Sequence, residues 1–320
     1  MRFLLGAILI AAVAWAGYWF VGAGAARAGF EGWFEARRAE GWQADYSALD
    51  IQGFPNRFDA GFSDIALADP GTGLRAYLES HIPGAFYAHL EEDLSAPVVP
   101  GKTGRHPLPS VETVAALFSH WGIGPEVQVV AYDDMSGAIA ARLWWMLRWL
   151  GHDAVAVLNG GWPAWEDAGL PTEARIPSAQ PAKFIPHLRP EMLIDADRVE
   201  VIRKLQEYKV VDSRTSDRYR GEVEPIDPVA GHIPGAVNIP HPDNVSSNGQ
   251  WLGPEALRRQ FLEVLGDTPA GHTAFYCGSG VTACRNILAY KHAGLGDALL
   301  YPGSWSEWIV DPDRAVAIGG

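Results

Sequence analysis

Cysteine is nearly absent: the 320-residue chain has two, Cys277 and Cys284. So few thiols exclude a disulfide framework and a cysteine-rich metal site. A pair in an otherwise Cys-free chain points to one kept for its chemistry. Basic residues are in the minority, 25 Lys and Arg against 38 Asp and Glu, and they form no block. The net charge of −13 therefore reads as solubility and supports no nucleic-acid footprint. With 48% hydrophobic and 20% charged residues, the chain is of ordinary globular composition and long enough for two domains. No metal or organic cofactor is implied.

Charge is missing altogether from residues 3–21, FLLGAILIAAVAWAGYWFV, which follow Met1-Arg2. A run of this length is at the threshold for spanning a bilayer and is long for a signal-peptide core. Trp15, Tyr18 and Trp19 suit an aromatic belt at the membrane interface. Membrane anchoring through 3–21, on an undetermined side, is the expectation. A signal cleaved near Ala26-Arg27-Ala28, leaving a secreted or periplasmic protein, is the alternative.

The rest of the chain contains an internal repeat. Residues 132–165 and 276–308 align with one insertion. Tyr132 then matches Tyr276, Arg142 matches Arg285, Gly151 matches Gly294, Gly160 matches Gly303, and Trp162 and Trp165 match Trp305 and Trp308. Upstream of each lies the same five residues, His81-Ile82-Pro83-Gly84-Ala85 and His232-Ile233-Pro234-Gly235-Ala236. Each copy reads as α/β. Val127–Tyr132 and Thr273–Tyr276 are apolar runs suited to buried strands, each followed by a Gly-containing turn and a helix. Ala154–Leu158 and Ala298–Tyr301 read as second strands, so parallel crossovers and doubly wound sheets are expected. Residues 171–190, with five Pro and no apolar period, read as the linker between copies.

Cys277-Gly278-Ser279-Gly280-Val281-Thr282 falls between a buried strand and a helix near Ala283. Open α/β sheets place ligands there, at the carboxyl ends of strands. Gly278 and Gly280 let the backbone arc so that N–H groups face a common centre, and the helix terminus adds its positive end. A sulfur in such a cradle is stabilised as the nucleophilic anion. A buried structural thiol is the competing reading, which the glycines and the strand-end position weigh against. The first copy has Asp133 at the position of Cys277, and a carboxylate cannot carry sulfur. Cys284, further into the helix, reads as a small packing residue.

The loop CGSGVTAC, together with GHIPGA, DSRTSDRYRGE and YPGSWSEW, closely resembles the mercaptopyruvate sulfurtransferases of the rhodanese superfamily. The resemblance runs from about Asp69 to Gly320. It implies two tandem rhodanese-like doubly wound parallel-sheet domains of the α/β class, preceded here by an N-terminal hydrophobic helix. Residues 1–28 are then a transmembrane anchor or signal segment, 29–68 a junction unlike rhodanese, 69–175 a catalytically silent copy, 176–190 a linker and 191–320 the catalytic domain. The implied reaction moves sulfur from 3-mercaptopyruvate, or thiosulfate, to a thiol, cyanide or protein acceptor through a Cys277 persulfide. Gly278 and Ser279 are small and neutral where thiosulfate-specific members carry cations, which favours 3-mercaptopyruvate. By the same resemblance Ser279 bonds the donor or protonates its leaving enolate, unless it only stabilises its own turn. Arg218 clamps the donor carboxylate by its bidentate fork. A second carboxylate arginine belongs in the stretch before GHIPGA, and Val223–Pro228 has none. His81 matches a first-domain His proposed to assist the serine; its recurrence as His232 argues instead for a turn or capping role. Arg214, Arg220 and Asp212 read as structural.

Two other classes compete. The rhodanese fold also serves Cys-dependent phosphatases, whose loop needs an Arg six positions after the Cys; position 283 is Ala. A non-catalytic docking module is the other, and the intact loop with Arg218 weighs against it. The N-terminal stretch of about 65 residues, the charge-free run together with the segment holding GFPNRFD, weakly resembles a family of uncharacterised bacterial membrane-anchored proteins. Counting back from His81 by the spacing of the second copy reaches Gly61–Asp64, which lacks an Asp-x-Arg signature. The first copy is therefore expected to be truncated, with residues 29–66 in place of its opening strand and helix. Either Phe62–Leu67 supplies a mimic strand or the domain is loosened.

Overall fold

The computed structural model describes the chain except for residues 1, 40–42, 46–47, 55–56, 58, 64–65 and 69–70. For residues 2–14, 37–39, 43–45, 62–63, 66–68 and 71–72 it describes the backbone alone. The chain divides into a unit of residues 1–76 with 224–226 and a unit of 77–223 with 227–320.

The first unit opens with one long helix, α1 (Arg2–Ala39), uninterrupted at the expected boundary near residue 28. Strands β1 (Gln43–Asp45), β2 (Ala48–Gln52), β3 (Asp59–Ser63) and β4 (Ala66–Ala68) follow. β2 pairs with β3 and β1 with β4, both antiparallel. The alternation of β2 buries Leu49 and Ile51, which close on Trp19, Ala23 and Ala26 of α1. Trp19 also donates its indole N–H to the Arg57 carbonyl at 2.7 Å and meets Phe54 edge-on. Trp19 is thus a core residue of this unit and not the lipid-facing belt residue expected; Trp15 and Tyr18 are exposed. Among the described residues no helix is long and apolar enough to cross a membrane. Side chains of 3–14, the larger part of the charge-free run, lie outside the described residues.

The second unit carries two parallel sheets of unequal size. α2 (Gly71–Glu79) leads into it, followed by α3 (Val111–His120), β5 (Val129–Ala131), α4 (Ala140–Trp149), β6 (Val155–Val157) and α5 (Gly161–Asp167). The chain continues through α6 (Ala196–Ile202), β7 (Lys209–Asp212), α7 (Ser216–Arg220), β8 (Val237–Asn238), α8 (Pro254–Leu265), β9 (Thr273–Tyr276), α9 (Ala283–His292), β10 (Leu299–Leu300) and α10 (Ser304–Trp308). The larger sheet has the order β10-β9-β7-β8, all parallel. Its strands are apolar on both sides because both faces are covered. Val211, Phe275 and Leu300 point into a core with Phe261 and Tyr290. Val210, Ala274 and Tyr276 point the other way, onto Val199, Ile202, Trp305 and Trp308. Each wholly buried large side chain contributes about 1.5–3 kcal/mol.

The smaller sheet is β5 paired with β6. Among the described residues no strand adds to it: β3 and β4, which include the described part of Phe62–Leu67, pair antiparallel with β2 and β1. Val130, which aligns with Ala274, is 53% exposed where Ala274 is wholly buried. The Pro-rich stretch read as the linker is held by backbone hydrogen bonds. His187 and Arg189 donate to the carbonyls of Leu150 and Trp149, and Phe184 is buried against Phe118.

The two HIPGA segments are built alike. His81 Nδ1 lies 2.6 Å from the Tyr77 carbonyl and its ring stacks on Tyr77, whose hydroxyl donates to the Ala85 carbonyl. His232, Tyr219 and Ala236 repeat each contact. The next residue, Ile82 or Ile233, donates its N–H to the hydroxyl of Tyr132 or Tyr276. Buried and stacked in this way, His81 serves its own turn.

Candidate active site

Cys277 follows the last residue of β9, and its loop closes onto α9. Gly280 donates its N–H to Cys277 Sγ at 3.2 Å. It does so with φ +80°, a conformation natural to glycine, with its α-carbon against the Pro302 carbonyl. The outer side of the loop is pinned by α10: Trp305 and Ser306 donate to the carbonyls of Cys277 and Gly278, and the Cys277 N–H is bonded by Ser304 Oγ. The Cys277 and Gly278 carbonyls are thus bonded outward to α10, while the Gly280 N–H faces the sulfur.

The aligned loop 133–140 shows what such an arc holds. One oxygen of Asp133 accepts from the N–H groups of Met135 and Gly137, and the other from Ile139 and Ala140, at 2.7–3.0 Å. The cradle there is filled by its own carboxylate.

Ser279 Oγ lies 2.7 Å from His106 Nδ1, and His106 Nε2 lies 3.9 Å from Glu91 Oε1. The His106 contact holds the Glu91 carboxyl below the usual carboxylate range, with His89 adding a smaller pull. Hydroxyl and imidazole thus form a hydrogen-bonded pair able to move a proton at the Ser279 oxygen, with the Glu91 carboxylate close behind the ring. The imidazole beside Ser279 is His106; His81, which the family resemblance offered as an assist, is bonded at its own turn, in line with the turn or capping role that its recurrence suggests.

A second group faces the loop from its other side. A Cβ placed on Gly278 would stand 2.8 Å from Arg105 Nη2 and within 3.8 Å of both terminal nitrogens of Arg218. Asp227, almost wholly buried, receives both guanidinium groups, Arg105 on one oxygen and Arg218 on the other. Arg214 instead forks onto Asp212, both buried, and stacks on Trp305. Arg220 pairs with Glu222 at the surface.

Beneath the loop, Arg142 is fully buried and donates to the carbonyls of Gly280, Leu94 and His106. It ties the segment carrying Arg105 and His106 to the Cys277 loop. Its repeat counterpart Arg285 donates to His241, which burial and the neighbouring Arg285 push down to about 3 and so keep neutral. Cys284 is fully buried, points at the Gly280 carbonyl, and is pushed up to about 12 by burial. It packs as a thiol.

A model of the rhodanese-like domain matches residues 196–311. A curated relative in Pseudomonas aeruginosa, a probable 3-mercaptopyruvate sulfurtransferase, is 49% identical over 80% of this chain and 90% of its own. The chain belongs to the rhodanese-like sulfurtransferases. Its catalytic class is that of the family: it is a sulfurtransferase. A putative thiosulfate sulfurtransferase of Mycobacterium tuberculosis is 40% identical over 78% of this chain and 88% of its own. Among solved structures, a 3-mercaptopyruvate sulfurtransferase from Leishmania major superposes with a TM-score of 0.64 at 34% identity, over 74% of this chain and 66% of its own. Residues 19–83 match a second model, described as an uncharacterized protein conserved in bacteria (DUF2125).

Of the residues this rhodanese-like sequence offered, the structure brings together Cys277, Ser279 and Arg218 around Gly278 and Gly280, with Val281 and Thr282 leading into α9. Glu91, Arg105, His106 and Asp227 join them unannounced. The one sequence signal was Gly104-Arg105-His106-Pro107, two polar residues set rigidly between Gly and Pro in a stretch without apolar period.

Proposed function

We propose that this sulfurtransferase carries sulfur on Cys277 and takes it from 3-mercaptopyruvate. The observation that carries the reading is the Cys277 sulfur in a glycine arc, beside a hydroxyl wired to His106 and facing two guanidinium groups. The Cys277 thiolate attacks the donor sulfur; an S–S bond forms, the donor C–S bond breaks, and its electron pair leaves as the pyruvate enolate. Ser279 protonates that enolate and regains a proton through His106, with Glu91 orienting the ring. Arg218 holds the donor carboxylate. An acceptor thiolate or cyanide then attacks the outer sulfur of the persulfide and restores the Cys277 thiolate.

Thiosulfate, with sulfite leaving, is the second donor that the family admits. It needs no proton at carbon, so the Ser279–His106 contact favours 3-mercaptopyruvate. Steady-state kinetics with both donors and cyanide as acceptor tests this. The expected result is a kcat/KM for 3-mercaptopyruvate at least about tenfold above that for thiosulfate. The reverse order defeats the donor assignment and leaves the persulfide standing.

We also propose that residues 69–175 and 191–320 are two copies of one domain, the first silent and lacking its opening strand and helix. The matched HIPGA contacts, the two-stranded sheet and the self-filled Asp133 loop support this. The N-terminal run, on its sequence alone, supports anchoring: full-length chain is expected in the membrane fraction, resistant to alkaline carbonate and released by detergent. Recovery of the intact chain in the carbonate supernatant overturns anchoring.

A further inference from the structure

The arginine expected before the second HIPGA motif is absent, yet the pocket holds two guanidinium groups. We infer that Arg105, delivered from the first-copy segment 96–110, is the second anion-binding group of the site and sets which donors it accepts. The inference rests on Cys277 being the sulfur carrier.

Three observations carry it. Arg105 Nη2 is the nearest side-chain atom to the space above Gly278, nearer than either terminal nitrogen of Arg218. Its backbone is fixed: Arg105 donates its N–H to Ser306 Oγ at 3.0 Å, and a Cβ at Gly104 would strike the Gly303 carbonyl and Ser306 Oγ. The segment passes so close to α10 that glycine is needed there. Its side chain is about one third exposed, against 15% for Arg218, so it stands on the solvent side of the pair, where a small anion enters.

Asp227 explains why the two cations stand together. It draws Arg105 and Arg218 to one point beside the loop, so two positive groups meet an arriving donor carboxylate. The Cys277 loop itself is neutral at Gly278 and Ser279, so the cations come wholly from elsewhere in the fold. Removing Arg105 takes away one of those two cations and weakens the attraction.

Alkylation of Cys277 tests this independently of turnover. Iodoacetate and iodoacetamide transfer nearly the same group to sulfur with loss of iodide, and differ by one carboxylate. The ratio of their rates therefore reads the charge above Gly278. In full-length Arg105→Gln the ratio is expected to fall at least about fivefold, and the KM for 3-mercaptopyruvate to rise about tenfold, the scale of one lost charge-assisted hydrogen bond. Arg105→Lys keeps the charge and is expected to lose less of the ratio than Arg105→Gln. Asp227→Asn removes one negative charge from beside the two cations; the ratio is expected to rise, and thiosulfate, a dianion, to gain on 3-mercaptopyruvate in kcat/KM. Should Arg105→Gln misfold by circular dichroism, the Lys and Asn variants still decide. A ratio within twofold of wild type in a folded Arg105→Gln, or in Asp227→Asn, overturns the assignment. Failure to find added sulfur on wild-type Cys277 overturns the carrier reading instead, and the alkylation ratio still reads Arg105.

Discussion

Cys277→Ser is expected to lower sulfur transfer by more than about a thousandfold while leaving the melting temperature close to wild type. Serine matches the thiol in shape and keeps the Cys277 N–H bond to Ser304, so the loop has no reason to rearrange. What it lacks is a sulfur able to take and give up another sulfur. After exposure to donor, mass spectrometry of the wild type should show one added sulfur on the peptide holding Cys277, and none in the variant. Cys284→Ala is the contrast: a thiol pushed up to about 12 supplies no thiolate at neutral pH, so turnover is expected within a few-fold of wild type. Turnover surviving in Cys277→Ser would remove the mechanism outright.

Gly280→Ala should be nearly as damaging, although it touches no reacting atom. A Cβ at that position is driven into the Pro302 backbone carbonyl, and the φ of +80° is strained for alanine. The strain alone costs about 1–3 kcal/mol, and relieving the clash must move the N–H now donated to Cys277 Sγ. A fall in kcat/KM of at least about a hundredfold is expected, the cost typical of losing a preorganised donor. Gly294→Ala separates the two effects. It has a similar φ of +72° but open space around the α-carbon, so it should lose stability and keep its rate. If Gly280→Ala retains wild-type kinetics, the arc is not what activates the sulfur.

The Cys277 loop was legible because its elements are local. Cys, two Gly and the helix start lie within a few residues, and strand Thr273–Tyr276 matches its sequence pattern residue for residue. Arg218 was legible through the family motif that contains it. His106 and Arg105 were not, because each works across more than a hundred residues of chain, on Ser279 and Asp227. Motif spacing carries no record of such distances. His81 drew notice through the family match, and its repetition as His232 pointed to packing: ring on Tyr77, Nδ1 on the Tyr77 carbonyl. The Pro-rich stretch had no apolar period because it binds through backbone hydrogen bonds to Leu150 and Trp149, which need none. Trp19 looked interfacial in a one-dimensional run, and only the hairpin of β2 and β3 reveals its partner.

An anion arriving from solution at the 133–140 loop meets no vacancy. The donors that would receive it are already bonded to the Asp133 carboxylate, a competitor tethered at an effective concentration that no free ligand reaches. Titration with a donor analogue is therefore expected to reach a single end point per chain, with the Scatchard plot of a one-site protein.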